Sequence, residues 1–198
     1  MELQNALAQI ADIHRQMART RVFRGYRAAT TLLTGIGAVL AAVWQALAIA
    51  DPASEPWRFA NIWIAVAAAS VIMVGTQIVR SYRLGDSPLQ RELTLLAVEQ
   101  FLPCLVIGGA VTFVLYETAA SVMWMLPGLW SIFFGLGFFA SRRLQPGAIV
   151  FVGAFYLLCG LVALMLGIRA FSPWVMGSVF GIGQTAAAII LYLKLERP

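Results

Sequence analysis

Six long apolar runs alternate with short polar breaks along these 198 residues, and no other feature of the chain restricts its fold so strongly. The runs cover residues 28–50, 59–79, 93–116, 119–140, 147–168 and 174–193. A helix rises about 1.5 Å per residue, so roughly 20 apolar residues cross a hydrocarbon core of about 30 Å. Composition removes the soluble alternative. With 61% of residues hydrophobic and 12% charged, too little polar surface is left to cover a water-soluble domain. The expected fold is all-α, an integral membrane six-helix bundle over residues 28–198.

Charge placement predicts the orientation. Of the 14 Lys and Arg residues, only Arg58 and Arg169 fall in one set of breaks. The others precede the first run, lie between Arg80 and Arg91, or sit at Arg142, Arg143, Lys194 and Arg197. Short loops rich in Lys and Arg stay cytoplasmic. Both termini are therefore expected there, in a multi-pass protein of the cell membrane; small size and simple topology suggest a bacterial inner membrane. The net charge of +5 reads as a topology and lipid-headgroup signal, which makes membrane lipids expected partners. Nucleic acid is not expected, because no extended soluble basic surface exists.

Residues 1–27 form a polar, basic lead-in. Leu3, Ala6, Leu7, Ile10, Ile13 and Met17 recur at helical spacing, with Gln4, Asp12, Arg15, Gln16 and Arg19 on the other face. This predicts an N-terminal amphipathic helix that lies in the cytoplasmic interface or pairs with a partner's helix. The segment lacks the pattern of a cleavable signal. His14, the single histidine, falls on its apolar side, where packing accounts for it.

Small residues line several runs. Thr34, Ala38 and Ala42 follow one another every four residues, Gly153, Gly160 and Gly167 every seven, and Gly177 and Gly181 form a GxxxG pair. Stripes of this kind let helix backbones approach where lipid offers no hydrophobic drive for association. They predict helix packing within the bundle, in a homo-oligomer or against a membrane protein partner. FGLG at 134–137, FGIG at 180–183 and TGIG at 34–37 suggest a repeated hairpin, although chance produces such motifs readily in sequences this rich in Gly, Leu and Ile. Trp57, Trp63, Trp124 and Trp174 fall toward the external side as an interfacial belt, while Trp44 and Trp130 lie deeper, where one would floor a pocket.

The chemical clue is Glu99, in LLAVEQFLPC. It lies two turns inside Glu92, about 10 Å along the axis, where a carboxylate is costly unless it meets a cation, a cavity or another protein. An arginine from the inner rim, a solute path and a partner contact would each satisfy it. Pro103 lacks an N–H, so it frees the Glu99 carbonyl from its helical hydrogen bond. Gln100 and Gln77 share the inner half, and Gln184 and Thr185 lie near the middle of the sixth run. Together these five residues are the candidate solute-binding or polar-network group.

No enzyme is expected. Catalysis in a membrane needs a nucleophile with its base, a carboxylate cluster or metal ligands, and Cys104 and Cys159 stand isolated in apolar runs. Neither metal nor cofactor is expected. Two functions remain: binding or passage of a small solute through the bundle, and a scaffold or regulatory subunit acting through helix contacts with a partner or with itself.

Overall fold

The computed structural model describes residues 27–83 and 88–197. Six helices run through them: α1 (Ala28–Ala48), α2 (Pro56–Arg83), α3 (Pro88–Thr118), α4 (Leu126–Ala140), α5 (Ile149–Leu166) and α6 (Pro173–Leu191). There is no strand among the described residues. Proline supplies four of the starts, at Pro56, Pro88, Pro127 and Pro173, where its missing N–H costs nothing and its fixed φ suits a helix. Ser172 caps α6 by accepting a bond from the Trp174 N–H at 3.3 Å. Residues 1–26, which hold the amphipathic helix expected from the sequence and His14 within it, lie outside the described residues.

All six segments are long and apolar enough to cross a membrane, the architecture of a multi-pass membrane protein. Large apolar side chains face outward, among them Leu47 at 84% and Met165 at 87% exposure, a surface suited to lipid and not to water. The Ala28 N–H donates to the Glu196 carboxylate at 2.8 Å. The start of α1 and the C-terminal turn thus share one end of the bundle; the opposite end is the far end.

Two boundaries differ from the sequence expectation for a physical reason. The fourth run opens as a 3-10 turn, Ala120–Met125, before α4 begins. Leu126 donates its N–H to Met123 three residues back, and Pro127 has no N–H with which to extend an α-helix in that direction. Without this turn the 15 residues of α4 would span only about 22 Å. In the fifth run, Gly167 terminates α5 at φ 60° and ψ −134°, a backbone that side chains rarely adopt. A Cβ there would meet nothing within 4 Å. Gly167 is a turn residue, not the third member of a packing stripe.

Packing divides the helices into a core and a periphery. Only 6% of the apolar stretch is buried in α2 and in α3, against 44% in the fourth and sixth spans. α1 pairs chiefly with α6, and α4 with α5. Both pairs are antiparallel and both are made by residues without bulk. A Cβ built on Gly160 would stand 2.7 Å from the Gly128 carbonyl oxygen, and one on Gly128 would stand 2.9 Å from that of Gly160. A Cβ on Gly135 would stand 2.9 Å from the Gly153 carbonyl. In the other pair, a Cβ on Gly177 would collide with the Ala42 Cβ, and one on Gly181 would stand 2.6 Å from Val39 Cγ2. Ala38, Thr34 and Gly35 are buried along the same face of α1.

Aromatic side chains fill the space between the pairs. The Phe134 ring lies 5.0–5.5 Å, centroid to centroid, from Phe101, Phe138, Tyr156 and Phe180. Gly137 and Gly183 make room for two of these rings, since a Cβ on Gly137 would stand 2.6 Å from Phe101 and one on Gly183 would collide with Tyr156. The second and fourth positions of FGLG and FGIG therefore do the same two jobs in α4 and α6. In TGIG of α1 only the second position does so, since a Cβ on Gly35 would stand 2.9 Å from the Gln184 Cβ while nothing lies within 4 Å of one on Gly37.

Candidate functional site

Each peripheral helix is clipped to the core by one indole N–H. Trp63 on α2 donates to the Gln45 Oε1 of α1 at 2.7 Å, and Trp130 on α4 donates to the Thr112 hydroxyl of α3 at 2.7 Å. Both clips lie toward the far end, where Met123 and Leu126 also pack against Ala60. Away from its clip, α2 turns Ile64, Val71, Ile72 and Val79 outward.

The five candidate polar residues do not converge on one cavity. Glu99 is exposed. It belongs to an outward stripe of α3 with Leu95, Leu102 and Val106, which are 58%, 49% and 56% exposed. Thr185 is likewise exposed, between Ile182 and Ile189 on the outer face of α6. Gln184 is buried against α1, its Cβ opposite Gly35. Gln77 is half-buried on α2 and engaged in a contact of its own. Gln100 is half-buried, with a fully covered Oε1 that lacks a hydrogen-bond partner.

What gathers instead is a set of acceptors on one turn of α3. The Glu99 carboxylate has neither an ion pair nor a hydrogen bond among the described residues. Pro103, itself exposed and inside the continuous helix, frees the Glu99 backbone carbonyl. The unpartnered Oε1 of the neighbouring Gln100 is covered and lies behind this face. The Glu99 carboxylate and its backbone carbonyl are acceptors on a face otherwise lined with leucine and valine. At the centre of a membrane helix a charged group costs roughly 2.5–3.5 kcal/mol, and unpaired acceptors nearer the rim are also penalised. The patch is chemically complementary to a cation or a donor-rich group.

Elsewhere the interior is closed. Ser131 and Ser141 return their hydroxyls to carbonyls of their own helix at 2.8 Å, and Gln145 donates to the Ser141 hydroxyl at 2.7 Å. The Tyr156 hydroxyl and Gln45 Nε2 are buried without partners, each walled by neighbouring side chains. Both cysteines are free. Among the described residues no three His, Cys, Asp or Glu side chains converge. An open groove of about 770 Å³ runs between α1 and α2, with Trp44, Trp57, Arg58 and Asn61 at its far-end mouth.

Two features escaped the sequence reading. Gly128 and Gly135 repeat the seven-residue spacing of Gly153 and Gly160 in reverse direction, a signal that was available in the sequence. The outward aim of Glu99 had a weaker signal: Leu95, Leu102 and Val106 share its helical face, and an all-apolar companion face in a membrane span is as consistent with lipid as with a core. No family model, curated protein or solved structure matches the chain.

Proposed function

We propose that this protein is a non-enzymatic membrane subunit that acts through lateral helix contacts, docking a second membrane-spanning protein on the outward face of α3. One observation carries the reading: the unpaired Glu99 carboxylate, with its freed carbonyl, lies on an exposed apolar stripe, while the interior beside it is packed with aromatic rings. The partner is a helix that presents Lys or Arg at the depth of Glu99. A second copy of the chain is a poor candidate, because none of the six apolar runs carries Lys, Arg or His. Passage of a solute through the bundle has less support, since Glu99 and Thr185 face outward while Gln184 is enclosed between α1 and α6.

Photo-crosslinkers placed at Leu95 and Leu102 in native membranes test this directly. The expected product joins α3 to a transmembrane segment bearing Lys or Arg, and it disappears in Glu99→Leu. Crosslinks to lipid alone, or to a second copy of the chain, overturn the assignment.

A further inference from the structure

The groove between α1 and α2 has the opposite chemistry to the α3 patch. Its far-end mouth is built from donors. Trp44 lies one turn before the end of α1, and Trp57, Arg58 and Asn61 lie in the first two turns of α2. Trp44 is 58% exposed, and among the described residues neither its indole N–H nor that of Trp57 has a protein acceptor. The Trp57 ring is fixed edge-on against Tyr116 at 4.5 Å, which holds one wall of the mouth in place. Below the mouth the lining turns apolar, with Leu40 and Val66 on facing helices.

Arg58 is the one cation in the lining. Its only ion pair among the described residues is with Glu55, just before the start of the helix, at 3.0 Å, and both side chains are about half exposed, at 52% and 47%. A pair this exposed contributes little, so the guanidinium is free to turn toward a stronger acceptor. A phosphate is that acceptor, since guanidinium binds it through two parallel hydrogen bonds. A volume of about 770 Å³ is in the range of sites for amphiphilic ligands. Trp57, at the start of α2, sets the mouth at headgroup level, and Trp44, one turn inside the end of α1, lies just below it.

We propose that this groove is a specific phospholipid site, in which Arg58, Asn61 and the two indole N–H groups hold the phosphate and an acyl chain lies along Leu40 and Val66. Four donors above an apolar trough match an amphiphile. A soluble phosphate ester would leave the trough empty, so the lipid is the committed source. The site is separate from the α3 patch and stands whether or not that patch docks a protein.

Native mass spectrometry of the full chain in neutral detergent, titrated with dimyristoylphosphatidylglycerol, tests the site. Wild type should bind one lipid with clear preference. Arg58→Gln should weaken that binding about tenfold or more, the loss of one charge-assisted contact. Glu55→Gln removes the competing carboxylate and should strengthen it, a change in the opposite direction that no general damage to the fold would produce. Glycerol 3-phosphate should not compete. Equal lipid binding in all three proteins, or displacement by glycerol 3-phosphate at the same concentration as lipid, overturns the proposal.

Discussion

A single methyl group distinguishes the glycines that build this protein from those it merely contains. Gly160 faces the Gly128 carbonyl across the α4–α5 contact, and backbone cannot move aside as a side chain can. Gly160→Ala should therefore lower stability by about 1–3 kcal/mol, the usual range for overpacking. Gly109, on exposed α3 with nothing within 4 Å of its Cβ position, should accept alanine at no cost or gain up to about 1 kcal/mol from helix propensity. Thermal unfolding of both variants in the same detergent measures the difference; equal midpoints would refute the role given to Gly160. Gly160 was legible in the sequence through its seven-residue spacing. Gly167 shares that spacing, yet its φ of 60° makes it a terminator, because periodicity reports the face of a helix and not where the helix ends.

At the level of elements, α2 and α3 are the weakly held pieces, and each depends on an indole donor. Trp63→Phe removes the bond to Gln45, a residue that is fully buried and already has an unpartnered Nε2. Leaving the whole amide unsatisfied should cost about 1–2 kcal/mol and speed hydrogen exchange in α2 more than in α1. The double variant Trp63→Phe, Gln45→Leu should recover most of that loss, since no polar group is then stranded. No recovery would mean that the ring's packing matters and the hydrogen bond does not. Both bonds join residues 18 apart. The sequence displays Gln45 and Thr112 as isolated polar residues in apolar runs, and only the packing of neighbouring helices reveals what each one meets.

On the scale of the whole molecule, Glu196 ties the last turn of the chain to the first helix by accepting the Ala28 N–H. A carboxylate at a helix start satisfies an orphan donor and opposes the positive end of the dipole. Glu196→Ala should cost about 1 kcal/mol, while Glu196→Gln, which keeps an acceptor oxygen, should retain most of the stability; identical melting of all three proteins would remove the tie. Six apolar runs, their approximate limits and a membrane location were readable without coordinates, because crossing a bilayer demands length and hydropathy, and both are local properties of the chain. The direction of Glu99 was not. A lipid-facing leucine and a core leucine look alike in a span, as lipid and protein interior are equally apolar. Which polar groups turn outward, and which glycines oppose each other, was decided only when α1 closed on α6 and α4 on α5.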